Sequence, residues 1–355
     1  MCLAKDLERK SMNQAISNTT RIKHINVELV KDALIELVFG TKQSISNITG
    51  LSVATCGNIL NELIESGEVI EIDLEQPSGG RPARRFMYNA NYSYVACIDL
   101  SYEQEIYKIA YAVTNLVGEI IEENSVIVDN ITYQSIVHHI DRLIANYKII
   151  KAIGIGVPAV VYEGVVVGEC DIKNLTNFPL EKELRLVFGK EIIVENDMNL
   201  KALGFYRKQK YDNDQNIAVI NFPKDKCLGS GVIVGGHVVK GNTNFAGEVS
   251  YLPLDVPQEQ LVYEHNKDGC LVPSVVKIIT SVIAVINPAT IALTGELVKS
   301  DMLEDIFNGC LEIIPREHMP EIIIRENIQD DYINGLVSVT IESLTCDVQM
   351  VKKRI

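Results

Sequence analysis

The feature that most constrains the fold of this chain is a succession of three helical patterns near its N-terminus. Residues 26–39 place apolar side chains on one face and end at Gly40, and residues 53–66 do the same and end at Gly67. A short segment between them ends at Gly50. Helix, short helix, glycine turn and helix together form the helix-turn-helix pattern. The expected first residues are Asn26, Ser44 and Ser52, and the expected core residues are Val27, Val30, Leu34, Leu37, Val38, Ile45, Ile48, Ile59, Leu60, Leu63 and Ile64.

Two short strand patterns, at 69–72 and 86–88, follow the third helix and predict a hairpin, or wing. The loop between them has the glycines of a tight turn and brings three arginines within five positions. Arginines spaced in this way can contact DNA phosphates or enter a minor groove. The wing residues predicted to contact DNA are Gly80, Arg81, Arg84 and Arg85.

Short polar side chains occupy the outward face of the third helix and the start of the second. Such groups can hydrogen-bond base edges or phosphates in a major groove, although a plain solvated face would have the same composition. The third helix has no Lys or Arg, so the wing would supply most of the positive charge. Gly57 costs the helix about 1 kcal/mol against alanine and would allow a close approach of DNA. The helix residues predicted to contact DNA are Ser44, Ser52, Thr55, Asn58 and Asn61.

Charge is distributed unevenly along the chain. The net charge of the 355 residues is −14, which argues against a protein that coats nucleic acid by bulk attraction. Residues 1–95 contain 10 Lys and Arg against 11 Asp and Glu, so the rest of the chain carries a net charge of −13. DNA binding would therefore depend on local basic residues near the N-terminus.

From residue 94 onward, strand and helix patterns alternate as in an α/β fold with two halves. Polar residues cluster where strands end, which is the usual position of a ligand crevice. Asp197 follows a strand directly and can be a general base toward a hydroxyl or the N-cap of the next helix. The predicted strands are 95–100, 107–115, 119–128, 153–157, 192–195, 217–221, 231–234 and 291–294, and the predicted helices are 132–147, 199–207 and 278–286.

Cysteine usage and hydropathy indicate a protein of the cytoplasm. The eight cysteines are dispersed without any Cys-x-x-Cys pair, as expected for free thiols in a reducing compartment. The N-terminus is too polar for a signal peptide. The most apolar stretch, 275–293, is interrupted by Lys277, Asn287 and Pro288, so we expect a buried helix and strand there and no membrane span.

Eight short motifs follow one another in the order that one known family has. Each motif alone is weak, but the series, over roughly residues 25–340, resembles the ROK family of repressors, open reading frames and kinases. The resemblance implies an actin-like, two-lobed domain with a sugar in its cleft, and the helix-turn-helix is similar to the repressor branch. The motifs are GLSVATCGNILNELIESGEV, GGRPARR, ACIDL, IGIGVPAV, NLTNFPLEKEL, VENDMN, FAGEVSY and INPATIALTGE.

The resemblance also implies roles for cleft residues. Asn196 and Asp197 match the family's sugar-contacting pair, with Asp197 in the position of the catalytic base. Glu248 matches a glutamate that binds sugar hydroxyls, and Tyr251, where the family usually has histidine, is expected to contact the ligand. Carboxylates suit this role because they accept hydrogen bonds from several hydroxyls at once.

Departures from the family pattern argue against catalysis. Family kinases wrap ATP phosphates with an Asp-x-Gly-Gly-Thr loop, whereas here Asp99 is followed by Leu-Ser-Tyr-Glu, and Glu103 would repel phosphate. We therefore expect no enzyme activity. The family's cysteine-rich zinc segment is missing, so no metal or other cofactor is expected.

These observations predict an α/β chain in three parts. Residues 1–25 form an N-terminal arm, 26–90 a winged helix-turn-helix, and 94–355 an actin-like (ribonuclease H-like) two-lobed, sugar-kinase-type domain for ligand sensing and dimerisation. The predicted function is a transcription repressor with a double-stranded DNA operator, a sugar or sugar phosphate effector, and a homodimer or tetramer as its assembly. Two alternatives stay open: an ATP-dependent sugar kinase, and a regulator whose cleft no longer binds ligand.

Overall fold

The computed structural model describes residues 21–72, 84–147, 149–168, 170–209, 215–224, 227–254 and 271–344. They form two compact units. The first unit takes in the described residues up to Tyr94, with Asn115–Glu119 and the described residues from Ser343 onward. The second comprises Val95–Thr114 and the described residues of Ile120–Glu342.

Three helices form the body of the first unit: α1 (21–37), α2 (Lys42–Thr49) and α3 (Val53–Ser66). Ser52 caps α3 by accepting the backbone N–H of Thr55, and Gly67 ends it in the left-handed conformation, as predicted. Their apolar faces meet in one core. Its buried members are Val30, Ala33, Leu34, Ile45, Cys56, Ile59, Leu60, Leu63, Val69 and Phe86.

Several predictions for the first two helices were wrong at the ends. Residues 21–25, predicted as part of an arm, are helical, so Asn26 lies inside α1 and does not cap it. The helix stops one residue before Val38, which adopts a left-handed φ of 64° and is 63% exposed. Thr41, three residues before Ser44, caps α2, and Ile48 on α2 is exposed. Apolar periodicity alone does not show how much of a helix's apolar face the neighbouring helices cover.

A hairpin completes the first unit. Strands β1 (Val69–Ile72) and β2 (Arg85–Tyr88) pair antiparallel. Phe86 on β2 is buried in the helical core, and its backbone exchanges two hydrogen bonds with Gly40. This bridge ties the hairpin to the segment between α1 and α2. The first unit is therefore a winged helix-turn-helix.

The second unit contains two five-stranded sheets of mixed direction. The first sheet has the strand order β5-β4-β3-β6-β9, with α4 and α5 in its connections. Four of its strands are longer than the sequence predicted, whereas β5 begins one residue later than predicted. The bounds are β3 (Tyr94–Glu103), β4 (Ile106–Asn115), β5 (Ile120–Val128), α4 (Tyr133–Asn146), β6 (Ile150–Val157), α5 (Leu180–Phe188) and β9 (Glu191–Asn196), with a separate hairpin of β7 (Val160–Tyr162) and β8 (Val165–Val167).

The second sheet has the order β12-β11-β10-β13-β14, with β10, β13 and β14 parallel. The helix α6 connects the first sheet to the second. This pair of open sheets is the two-lobed, actin-like arrangement predicted from the motifs. The bounds are α6 (Asp197–Gln209), β10 (Ile217–Asn221), β11 (Gly229–Val234), β12 (His237–Val238), α7 (Val272–Ile286), β13 (Thr290–Thr294), α8 (Leu303–Leu311), β14 (Glu321–Ile324) and α9 (Gln329–Glu342).

Helices α6 and α9 approach each other until their backbones touch. A Cβ on Gly204 would lie 1.7 Å from the carbonyl oxygen of Asp331, and one on Gly335 would lie 2.0 Å from that of Leu200. Glycine is therefore required at both crossing points. The contact fixes α6, whose first turn faces the cleft described below. None of the helices within the described ranges is long and apolar enough to cross a bilayer.

Candidate functional site: a ligand cleft and a nucleic-acid interface

A cleft of about 1380 Å³ opens in the second unit, lined by strand ends and loops of both sheets. All four residues predicted to bind ligand line it, although they come from two distant parts of the sequence: Asn196 and Asp197 at the start of α6, and Glu248 and Tyr251 in the segment after β12. The strand ends thus meet as the α/β pattern predicted.

Asn196 caps α6. Its side-chain oxygen accepts the backbone N–H of Met198 at 2.9 Å and of Asn199 at 3.0 Å, and its amide donates to the carbonyl of Ala159 at 2.9 Å. The reading of Asp197 as the cap is therefore wrong, because Asp197 is the first residue of the helix proper. Asn196 holds the turn in place because its side chain forms these three hydrogen bonds. The Asp197 carboxylate does not cap the helix, and Asp197 lines the cleft.

Asp197 forms an ion pair with Lys201, one helical turn further along α6. The ammonium lies 2.7 Å from the carboxylate, and the two side chains are 17% and 24% exposed respectively. Burial acts to lower the pKa of Lys201, but the charges of Asp197, Asp99 and Glu103 outweigh it and raise that pKa. Lys201 is thus a charged group of the cleft that the motif comparison missed, although the i,i+4 spacing from Asp197 could have indicated the pair.

Glu248 reaches the cleft from a constrained loop. Ser230 donates a hydrogen bond to the carbonyl of Gly247 at 2.6 Å, and Gly247 adopts a φ of 97° that brings the loop against β11. The pKa of Glu248 is raised by burial and by the negative charge of Asp197. Two carboxylates thus face one space, where hydroxyl donors would relieve their mutual repulsion.

An aromatic pair flanks Glu248. The ring of Tyr251 lies 5.0 Å from that of Phe245, centroid to centroid, and both side chains line the cleft. Tyr251 is 69% exposed. Apolar ring faces beside carboxylates suit a ligand that has both C–H and O–H surfaces.

A buried carboxylate joins the two parts of the site. Glu195 is 7% exposed and accepts hydrogen bonds from the backbone of Asn196 and the side chain of Asn199. Its other oxygen pairs with Lys240, which belongs to the segment that leads to Glu248. Sequence reasoning missed this contact, because the two residues are 45 positions apart, with Glu195 on β9 and Lys240 in the segment after β12.

No glycine loop follows Asp99. Strand β3 continues to Glu103, and the chain turns at Gln104 and Glu105, which both have left-handed φ values. The pKa of Asp99 is raised, chiefly by burial. The backbone that would wrap a phosphate in a glycine loop is therefore part of a sheet.

On the first unit, α3 presents the predicted recognition residues. Ser52, Asn58 and Asn61 are exposed and Thr55 is half-buried, with its hydroxyl 2.8 Å from that of Ser52. Ser44 is placed differently, because its hydroxyl is engaged in the cap of α2, where it accepts from the backbone of Thr41 and donates to the Thr41 carbonyl.

The described part of the wing places its two arginines in different settings. Arg84 pairs with Glu71 at 3.1 Å on the opposite strand. The guanidinium of Arg85 lies 4.2 Å from the ring centroid of Phe39. Gly80 and Arg81, also predicted to contact DNA, lie outside the described residues. Within the described ranges, no group of three or more His, Cys, Asp or Glu side chains could hold a metal ion.

Comparison with known proteins gives consistent results. The ROK family matches residues 106–271. A putative xylose repressor of Caldicellulosiruptor sp. (strain Rt8B.4) is 28% identical over 267 residues, which are 72% of this chain and 65% of that protein. The matched part of the chain thus spans just under two thirds of that relative.

Solved structures share the fold. A ROK family transcriptional regulator, described as a homolog of the E. coli MLC protein, superposes with a TM-score of 0.67 at 18% identity, over 90% of this chain and 99% of that one. A putative N-acetylmannosamine kinase from Listeria monocytogenes superposes with a TM-score of 0.57 at 17% identity, over 71% of this chain and 99% of that one. The ROK family match thus begins after the winged helix-turn-helix and includes the cleft residues Asp197 and Glu248.

Proposed function

We propose that this protein is a transcription repressor whose DNA affinity responds to a sugar bound in the ROK-type cleft. The observation that carries the proposal is the presence, in one chain, of a winged helix-turn-helix and a cleft lined by carboxylates, which can accept hydrogen bonds from hydroxyls. The similar protein from Caldicellulosiruptor has the name of a xylose repressor, which makes D-xylose the first effector to test. The operator would lie in the cytoplasm, where the protein would act.

The effector would contact Asp197, Glu248 and Tyr251. The two carboxylates accept hydroxyl hydrogen bonds, and the ring of Tyr251 packs on the apolar face of the sugar. Glu103 also lines this part of the cleft. A neutral sugar therefore fits better than a sugar phosphate, which would bring further negative charge to these groups.

Binding of the effector would serve sensing, without phosphoryl transfer. Strand β3 stands where kinases of the family have the phosphate loop, and the Asp197 carboxylate is already paired with the Lys201 ammonium. The competing hypothesis is an ATP-dependent sugar kinase, favoured by the position of Asp197 in the cleft. ATP-dependent phosphorylation of D-xylose, D-glucose or N-acetyl-D-glucosamine that is lost in Asp197→Asn would establish the kinase instead.

The test of repression is fluorescence anisotropy of a labelled duplex from the gene's upstream region, titrated with the full chain. We expect tight binding that unlabelled random duplex does not compete away, and release or strengthening of binding by the effector. The sensing proposal predicts that Asp197→Asn and Glu248→Gln abolish the sugar response while DNA affinity stays. Glu123→Gln, which removes an exposed carboxylate of β5, is the matched control and should respond like the wild type.

Two results would change the proposal. Binding that is weak, independent of sequence and lost with added salt would leave no case for specific repression. Specific DNA binding with no response and no thermal stabilisation by any sugar would favour the alternative in which the cleft only supports assembly. A homodimer or tetramer, as a two-fold operator requires, is checked by the mass of the protein in solution.

A further inference from the structure

Lys42, the first residue of α2, lies across α3 at Gly57. A Cβ on Gly57 would stand 3.2 Å from the Lys42 ammonium nitrogen and 3.5 Å from its Cδ. Any larger side chain at position 57 would therefore push the lysine away. Glycine inside a helix costs about 1 kcal/mol relative to alanine, and the space it leaves is filled by Lys42.

The charge of Lys42 differs in its surroundings from the charges of Lys23, Lys31 and Arg84 in the first unit. Lys23 pairs with Glu62 at 2.9 Å, Lys31 with Glu68 at 2.7 Å, and Arg84 pairs with a carboxylate as well. Lys42 has no carboxylate within ion-pair distance among the described residues, and its ammonium lies 6.0 Å from the ring centroid of Phe86. Its charge is thus available to an external anion.

The position of this charge matters because α3 has no cation of its own. Gly57 lies one helical turn before Asn61, so the two positions neighbour each other on the surface of α3. The Lys42 ammonium therefore lies beside the exposed polar row that contains Asn61 and Asn58. A DNA-binding surface needs such cations, since phosphate contacts provide much of the affinity.

We propose that Lys42, the first residue of α2, contacts a DNA phosphate beside the exposed polar side chains of α3. The space that Gly57 leaves open allows the lysine side chain to lie across α3. The proposal rests on the function proposed above. Phosphate contacts position a protein on DNA and do not read sequence. Lys42 therefore contributes to affinity for every duplex, while the exposed side chains of α3 provide sequence preference.

The test measures the salt dependence of DNA binding by the full chain, with the upstream duplex and a random duplex as probes. For each protomer that contacts the duplex, loss of one phosphate contact lowers the slope of log affinity against log salt by about 0.9 and weakens binding roughly five- to tenfold at 0.1 M salt. We expect this change for Lys42→Ala with both duplexes, and a wild-type slope for Lys42→Arg. Lys23→Ala, whose ammonium is already paired with Glu62, is the control and should keep the slope.

A second variant tests the space at position 57. Gly57→Leu should displace the ammonium and weaken binding as Lys42→Ala does, and the double variant should be no weaker than either single one. An unchanged slope in Lys42→Ala, or a loss confined to one duplex, would overturn the assignment while the repressor proposal stands. If the wild-type protein bound neither duplex, both the Lys42 assignment and the repressor proposal would be wrong. Thermal melts of each variant show whether the fold is kept.

Discussion

The crossing of α6 and α9 gives a prediction whose size follows from the structure. In Gly204→Ala the new methyl carbon would stand 1.7 Å from the backbone oxygen of Asp331. Carbon and oxygen atoms of packed helices are normally about 3.3–3.6 Å apart, so the two helices must separate by roughly 1.5 Å or more. Neither backbone can rotate out of the way as a side chain would.

The expected net cost is about 2 kcal/mol, because a clash with rigid backbone belongs at the upper end of the range for overpacking. Overpacking of a close-packed interior costs about 1–3 kcal/mol, occasionally more, and the gain in helix propensity returns about 1 kcal/mol. For a unit of this size, a loss of 2 kcal/mol lowers the melting temperature by about 4–8 °C. Differential scanning calorimetry of the full chain measures this shift, and the displaced first turn of α6 should also weaken sugar binding.

Gly309→Ala on α8 provides the comparison. Its methyl would stand 2.8 Å from a methyl group of Val276, which can rotate, so a smaller shift is expected. If Gly204→Ala melted at the wild-type temperature, or if the two variants lost the same amount, the backbone contact would not be the constraint that we describe.

Three further predictions concern buried charge and thiols. Among the residues that the structure describes, Arg325→Met leaves the fully buried Asp331 with only the Lys208 ammonium, 3.6 Å away, as an ion-pair partner. The substitution should cost about 3–5 kcal/mol in urea unfolding, and a loss under 1 kcal/mol would contradict the buried pair. Glu248→Gln should raise the unfolding free energy at pH 7, because the raised pKa of Glu248 means that its ionised form is disfavoured in the fold. That gain should disappear as the pH falls below about 4.3, where the carboxyl is protonated in both states, and a gain that persists at pH 3 would need another cause. Burial raises the pKa of Cys97 to about 12, so its thiol should not react with iodoacetamide at pH 8 until the protein unfolds. The exposed Cys227 should be labelled in the folded protein, and peptide mass mapping distinguishes the two sites.

The helix α3 was predictable because its signals are local. Ser52 and Gly67 mark the ends of α3, and a single apolar stripe marks its buried face, so its bounds agree with the prediction. The start of α1 and the exposure of Ile48 were not predictable, since they depend on how much of each helix the neighbouring elements cover. Propensity and periodicity describe a helix but not its neighbours.

In the cleft, the motifs indicated which residues to expect there, but not which of them caps a helix and which lines the cleft. Asn196 and Asp197 are adjacent in sequence, and only the hydrogen bonds of Asn196 show that it caps the helix, whereas Asp197 lines the cleft. Lys201 was visible from its spacing, whereas the pair of Glu195 and Lys240 required knowledge of how two sheets meet. Long-range electrostatic contacts of this kind leave no periodic signal in the sequence.

The packing of α9 also has a consequence for synthesis of the chain. Gly154 and Gly156 on β6 make room for Thr340 and Tyr332 of α9, so this helix seals one face of a sheet whose last strand ends at Asn196. Roughly 130 residues separate that strand from α9, and at about 5–20 residues per second a ribosome needs about 7–26 seconds to add them. Through that interval the nascent sheet carries an unsealed apolar face, so this stage of translation is the one at which the chain would most need a chaperone.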